Sequence, residues 1–399
     1  MTLVVDRGRD GPRVHALVIG VGAYRHLPGG ADPVAHDTLG LRQLSGPPLS
    51  ARAFADWVAT SMRHPRAALG TVELLTSPGA PPPGAPPPGA PPHGDGAAPA
   101  EPAPSAATVD VPTMAAVADA FEVWYQRCDT HEDNVALLYF CGHGVERESL
   151  FLLMEDFARS SLSLLENALD VGQTYQGLAR CRAREQYVFV DACREIPFQL
   201  LQQLSGNARV LVAPQLVADQ RRDTALVYAT SGGAKAYGRP NRPTRFTEAL
   251  IRALDGLGGR LDGAQWVVDV SSLQRAITLI LAEPRGGAPV QLPSVRGAGL
   301  GVLHRFDGAP VVPVSLQCLP AAAVAAATIT LSPLAALPGA VVGAAPPTLV
   351  AGARGWSVEV PADIYSLAVD FPGGGYAAAR KSIAALPPGV YDEPVEVQS

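Results

Sequence analysis

A histidine and a cysteine stand 50 positions apart in this chain, each at the close of a short apolar run. His143 lies in Phe140-Cys141-Gly142-His143-Gly144, and Cys193 in Asp191-Ala192-Cys193-Arg194-Glu195. Cysteine attacks a carbonyl as its thiolate, and a neighbouring imidazole is the common base that generates one. Gly144 has no Cβ, so its backbone N–H can come close to a substrate carbonyl and share in holding a developing oxyanion. These residue types suit acyl transfer through a thiol.

Such chemistry requires elements that bring the two residues together. The runs Asn134–Phe140 and Gln186–Val190 are short, apolar and rich in branched or aromatic residues, the pattern of central strands buried on both faces. In open α/β sheets catalytic groups collect beyond the carboxyl ends of the strands. Fifty residues are enough for a crossover between adjacent parallel strands, so the spacing predicts that His143 and Cys193 leave the sheet side by side.

The two motifs resemble those of the caspase-like cysteine peptidases, which pair a cysteine motif with a histidine about 50 residues upstream. The likeness is strongest to the metacaspases and their bacterial relatives, where aromatic-x-Gly-His-Gly and Asp-x-Cys recur. It spans roughly residues 13–305 and implies a mainly parallel α/β sheet flanked by helices on both faces. It also implies that Cys193 is the nucleophile, His143 the base, and the amides of Gly144 and Cys193 the oxyanion hole. The aspartate matching Asp191 helps metacaspases bind a basic P1 side chain, whereas caspases carry glutamine there and prefer aspartate. Ser50 departs from the pattern, because metacaspases tend to place a second acidic residue there. Ser231, in Ser231-Gly232-Gly233, is expected on the S1 side of the cleft. A basic P1 is favoured, with a small or aliphatic one next; the other reading of Asp191 is an anchor for the catalytic loop.

The same residues also have plainer readings. Cysteine is buried as often as any apolar residue, so Cys193 and His143 could simply pack at strand ends. Cys141 reads as a small core residue below the histidine. Cys141-x-His143 and Cys128-x-x-His131 lack a second tight pair, so no metal site is expected. Gly20-Val-Gly22 is not a dinucleotide fingerprint, since Arg25 occupies the third glycine position. Neither a Walker A nor a Gly-x-Ser-x-Gly motif occurs.

The chain has 399 residues, 47% of them hydrophobic, enough for a large core and two domains. A net charge of −6 and no basic run longer than Arg221-Arg222 give no case for nucleic acid or an anionic membrane. Lys235 and Lys381 are the only lysines, a bias of GC-rich coding in keeping with a bacterial source. Five scattered cysteines and a charged start point to a reducing, cytoplasmic setting. Gly308–Ala353 carries no charge, but its prolines and small residues argue against a membrane span.

Two regions are expected: a peptidase domain over 1–305, with a disordered Pro/Gly-rich insert at 77–107, and a sandwich-like β domain over 306–399, where alternation is frequent. Within the first, helices are expected at 49–60, 111–128, 162–181, 198–204, 244–254 and 270–281. The functional expectation is a cytoplasmic endopeptidase that cleaves a protein partner, with a toxin or pore-forming protein encoded nearby as the candidate, in bacterial antiviral defence or regulated cell death. The alternative is a catalytically silent scaffold on the same fold. No cofactor is expected, and any need for calcium is left open. Arg221 and Arg222 are the expected self-processing sites.

Overall fold

The computed structural model describes residues 2–35, 38–78, 109–160, 162–194, 208–215, 223–233, 240–282, 291–297, 301–339 and 345–398. Arg221, Arg222, the helix expected at 198–204 and nearly all of the insert lie outside the described residues. The chain forms two compact units. The first comprises 1–62, 66–248 and 291–299; the second comprises 63–65, 249–290 and 300–399.

The first unit is built on a seven-stranded sheet. Its strands are β1 (Leu3–Asp6), β2 (Arg13–Val21), β3 (Ala68–Ser77), β4 (Val135–Gly142), β8 (Glu185–Ala192), β9 (Asp223–Tyr228) and β12 (Ser294–Arg296), in the order β1-β3-β2-β4-β8-β9-β12. The five central strands run parallel, and the two edges are antiparallel. Every residue of β4 and β8 is buried, and in β2 all but the first, as a sheet covered on both faces demands.

Alternation along β4 sends neighbouring rings to opposite faces. Tyr139 stacks at 4.6 Å on Phe54 of α1 (Pro47–Thr60), which also meets Phe189 at 5.7 Å. Phe140 joins the other core, with Leu17, Ile19, Leu138, Val188 and Val190, beneath Val117, Phe121 and Trp124 of α2 (Met114–Cys128). Each helix starts where its sequence dictates. Prolines at the first positions of α1 surrender N–H groups that would have no partner, and the Thr113 side chain accepts the Ala116 N–H at 3.2 Å to cap α2.

After β4 the chain forms a small antiparallel sheet of β5 (Gly144–Glu146), β6 (Leu150–Leu153) and β7 (Ala168–Asp170). The expected helix over 162–181 is therefore shorter: α3 spans Val171–Gly177, followed by a 3-10 turn. Asp170 sets its start by accepting the Gln173 N–H at 2.9 Å, while Ala168 and Leu169 are buried as strand partners of Leu153 and Leu152. The apolar run that suggested a helix is thus buried as turn and strand. Farther along, α4 spans Arg245–Arg252.

The second unit holds an antiparallel sheet of β10 (Arg260–Asp262), β11 (Gln265–Asp269) and β13 (Val302–Arg305). It also holds α5 (Val270–Ala282), whose first turn is capped as Asp269 accepts the Ser272 N–H at 2.8 Å. The C-terminal region is all β. One sheet orders β16 (Val350–Ala351), β17 (Gly355–Pro361), β14 (Val311–Leu319) and β20 (Val390–Glu396); the other orders β15 (Thr328–Pro333), β18 (Asp363–Asp370) and β19 (Ala379–Ala385). Burial alternates along β14 and β18, so one face of each strand supplies the core. No helix among the described residues is long and apolar enough to cross a membrane.

Candidate active site

The register of β4 and β8 settles where the two motifs lie. Cys141 pairs with Asp191 and Gly142 with Ala192, so His143 and Cys193 are the next residues out of neighbouring strands at the same level. Cys193 is partly exposed, while the other four cysteines are buried. Gly144 lies against the cysteine loop. A Cβ there would stand 2.7 Å from the Cys193 carbonyl oxygen and 2.9 Å from the Ala192 Cβ, so only glycine permits this approach.

His143 is held at three points. Its backbone N–H donates to the Tyr24 hydroxyl at 2.7 Å, its ring packs on that of Tyr24 with centroids 4.9 Å apart, and its Nε2 lies 2.7 Å from the Arg42 carbonyl oxygen. A carbonyl only accepts, so Nε2 carries the hydrogen and the neutral ring keeps its lone pair on Nδ1. Burial lowers the pKa of His143 below 6.5, with the Arg42 contact opposing it, which favours the neutral form near pH 7. Gln43 braces the loop: it accepts the Tyr24 N–H at 2.7 Å and donates to the Tyr24 carbonyl at 2.9 Å. No side chain of the two motifs marks the group that orients the histidine. A main-chain carbonyl has no side-chain signature; only the aromatic Tyr24, just past β2, could have hinted at it.

Asp191 is 2% exposed and sits in a polar cluster on the α1 face. One carboxylate oxygen accepts from the hydroxyls of Thr244 and, at 2.6 Å, Thr247; the other has no hydrogen-bond partner. Burial raises its pKa, and the two threonine hydroxyls oppose the rise. Thr247 also meets the Tyr139 hydroxyl at 2.5 Å. Ser50 is fully buried and its hydroxyl accepts the Thr244 N–H at 2.9 Å. The Cys141 thiol shares this cluster, where burial and the charge of Asp191 push its pKa well up. Asp191, Ser50 and Cys141 are thus brought together, and Thr244 and Thr247 are members that motif reasoning did not find. Ser231 is exposed beyond β9, its hydroxyl donating to the Leu292 carbonyl at 3.3 Å.

A second unforeseen group lies beside the nucleophile. Arg194 pairs with Glu146 at 2.5 Å and stacks over the Tyr228 ring at 4.4 Å. Both charged residues line a cavity of about 690 Å³ with Ser149, Asp170, Tyr228 and Arg296. Among the described residues, no three His, Cys, Asp or Glu side chains converge as metal ligands.

The curated relatives that the chain matches include an uncharacterized protein of Sinorhizobium fredii, 29% identical over 217 residues, covering 52% of this chain and 62% of that protein. Another is a probable protease of a Desulfuromonadales bacterium, 29% identical over 158 residues, covering 37% of this chain and 18% of that one. The chain thus spans less than two thirds of either relative. Among solved structures, caspase-1 from Spodoptera frugiperda aligns over 76% of this chain and 97% of its own, at 12% identity and a TM-score of 0.43. The sequence model of the caspase domain matches residues 13–287, and with well over half of its length so matched, this chain belongs to the caspase-domain family of peptidases.

Proposed function

We propose that the chain is a cysteine endopeptidase acting through a His143/Cys193 dyad. Nδ1 of His143 takes the thiol proton, and the Cys193 thiolate attacks the scissile carbonyl to form a tetrahedral intermediate. The backbone N–H groups of Gly144 and Cys193 hold its oxyanion. The imidazolium then protonates the leaving amine, and a water activated by His143 releases the acyl group from sulfur. The observation that carries this reading is the Nε2–Arg42 contact, because it leaves the free lone pair on the nitrogen that must accept the proton.

Asp191 is proposed to confer a preference for a basic P1 residue, with support from its partnerless carboxylate oxygen. Binding a cation there would relieve a buried, half-satisfied charge. The proposed role is limited cleavage of a protein partner in a bacterial cytoplasm, in defence or regulated death, with a toxin or pore-forming protein as the candidate target. In the proposed division of labour, residues 1–305 form the peptidase and 306–399 a recognition module.

The test combines labelling and turnover. A thiol-directed electrophile should label Cys193 selectively in wild type and much more slowly in His143→Ala. Peptide cleavage should vanish in both Cys193→Ala and His143→Ala, with folding retained. Asp191→Ala should lower kcat/KM after arginine about tenfold or more. Near-normal cleavage by Cys193→Ala would sink the peptidase reading. Wild type that neither labels nor cleaves would favour a silent scaffold, and self-cleavage after leucine or alanine instead of Arg221 or Arg222 would overturn the basic P1 alone.

A further inference from the structure

Three loops leave the carboxyl ends of β4, β8 and β9, and one ion pair reaches all of them. Glu146 stands three residues after His143, and Arg194 immediately follows Cys193. Their side chains are 17% and 9% exposed, and Arg194 Nη2 donates to Glu146 Oε1 at 2.5 Å. The other carboxylate oxygen of Glu146 accepts the Gly233 N–H at 3.3 Å, and that N–H also points to the Arg194 carbonyl at 2.9 Å. Gly233 has φ +76°, a conformation glycine adopts without strain. On its far side Arg194 donates from Nη1 to the Thr230 carbonyl at 3.4 Å and to the Ser294 hydroxyl at 3.2 Å.

A pair this buried adds little net stability when compared with apolar residues, because desolvation opposes the attraction. Its partners, however, are concentrated. The contacts of Glu146 and Arg194 join the Cys193-Arg194 segment and the strand that begins at Gly144 to Thr230, Gly233 and Ser294 of β12.

We propose that Glu146 and Arg194 form a positioning clamp that fixes the histidine, cysteine and post-β9 loops relative to one another in the working site. This inference rests on the peptidase reading above. In this proposal both residues act through the backbones they tie and not on the reacting atoms. Removing either charge leaves the other buried without its counter-charge, so the two losses are coupled. The two members of the pair have opposite signs: beside Cys193, Arg194 favours the thiolate and Glu146 disfavours it.

The test uses Glu146→Gln, Arg194→Met and the double variant in the full chain. Turnover of a peptide substrate and the pH dependence of Cys193 alkylation by iodoacetamide are both measured. Each single variant should lose about tenfold or more in kcat with KM changed by less than about threefold. The double variant should be no worse than Arg194→Met alone. The alkylation midpoint should move down in Glu146→Gln, where Arg194 is uncompensated, and up in Arg194→Met. A purely structural role would not separate the two shifts by sign. If Glu146→Gln fails to fold, Glu146→Asp keeps the charge and draws it back, and should lose kcat at an unmoved midpoint.

Additive losses, midpoints that shift together, or unchanged kcat in Glu146→Gln would overturn the clamp. A wild-type chain that alkylates at Cys193 but cleaves nothing would remove the peptidase reading alone. The midpoints of the two variants would then still decide whether the pair governs the cysteine loop.

Discussion

In β4 and β8 every residue is buried, whereas along β18 burial changes at each step. The same kinds of polar side chain therefore have different standing in the two regions. At the ends of the fully buried strands a carboxylate or hydroxyl must find partners or carry a cost, and Asp191, Ser50, Arg194 and His143 are each held by specific neighbours. On the outer faces of the alternating strands water satisfies such groups, and a polar residue there points to no particular chemistry. Burial is what makes a polar residue informative.

An ion pair in each region offers the hardest test. Glu73 of β3 pairs with Arg127, with side chains 2% and 12% exposed, while Lys381 of β19 pairs with Glu393 at 40% and 35%. Arg127→Ala should destabilise the chain by about 3–5 kcal/mol, since it strands a buried carboxylate. A loss under about 1 kcal/mol in chemical denaturation would break the contrast.

Buried histidines sharpen it through pH. His15 in the first unit and His304 in the second are each lowered to about 4, chiefly by burial, and His304 Nδ1 accepts the Arg63 N–H at 3.0 Å, a bond that protonation would break. Because the folded pKa values lie below the unfolded value of 6.5, the unfolded chain takes up protons first. Stability should therefore fall as pH drops through 6.5 and level off below about 4, by about 1–3 kcal/mol for each histidine. Melting temperatures across that range should fall less steeply in His304→Asn than in wild type. His143, lowered in the same direction, should place the acid limb of kcat/KM below pH 6.5; a limb at or above that value would contradict a partly buried neutral base.

Two tyrosine hydroxyls give a finer comparison. Tyr24 accepts the His143 N–H, and Tyr365 donates to the Pro361 carbonyl at 2.8 Å. Tyr24→Phe should lower kcat about tenfold with little change in KM, and Tyr365→Phe should leave both unchanged in the same peptide assay. Lys381→Ala should have the smallest effect, about 0–1 kcal/mol in denaturation and none on turnover.

Much of the first unit was legible because strands buried on both faces read as unbroken apolar runs. Once β4 and β8 are recognised, a cysteine and a histidine at their ends follow. The residues that complete the cluster were not legible. Thr244 and Thr247 reach Asp191 across more than 50 positions of sequence, and Glu146 reaches Arg194 across 48, with no local pattern marking either meeting. The segment around Leu164 to Leu169 was misread because a short apolar run fits helix and strand alike, and Asp170 decides between them by capping α3. In the second unit β19 and β20 carry little strand signal, since Arg380, Lys381, Asp392 and Pro394 interrupt any apolar period.

The carbonyl of Arg42 has a genetic consequence. Every amino acid supplies that oxygen, proline included, so no point substitution at position 42 removes the acceptor that orients His143. Mutational scans by substitution should therefore find the position permissive even though the contact matters. A one-residue deletion or insertion in the loop bridged by Gln43 would shift the carbonyl off Nε2 and expose its importance. Within this loop selection should constrain length more tightly than identity.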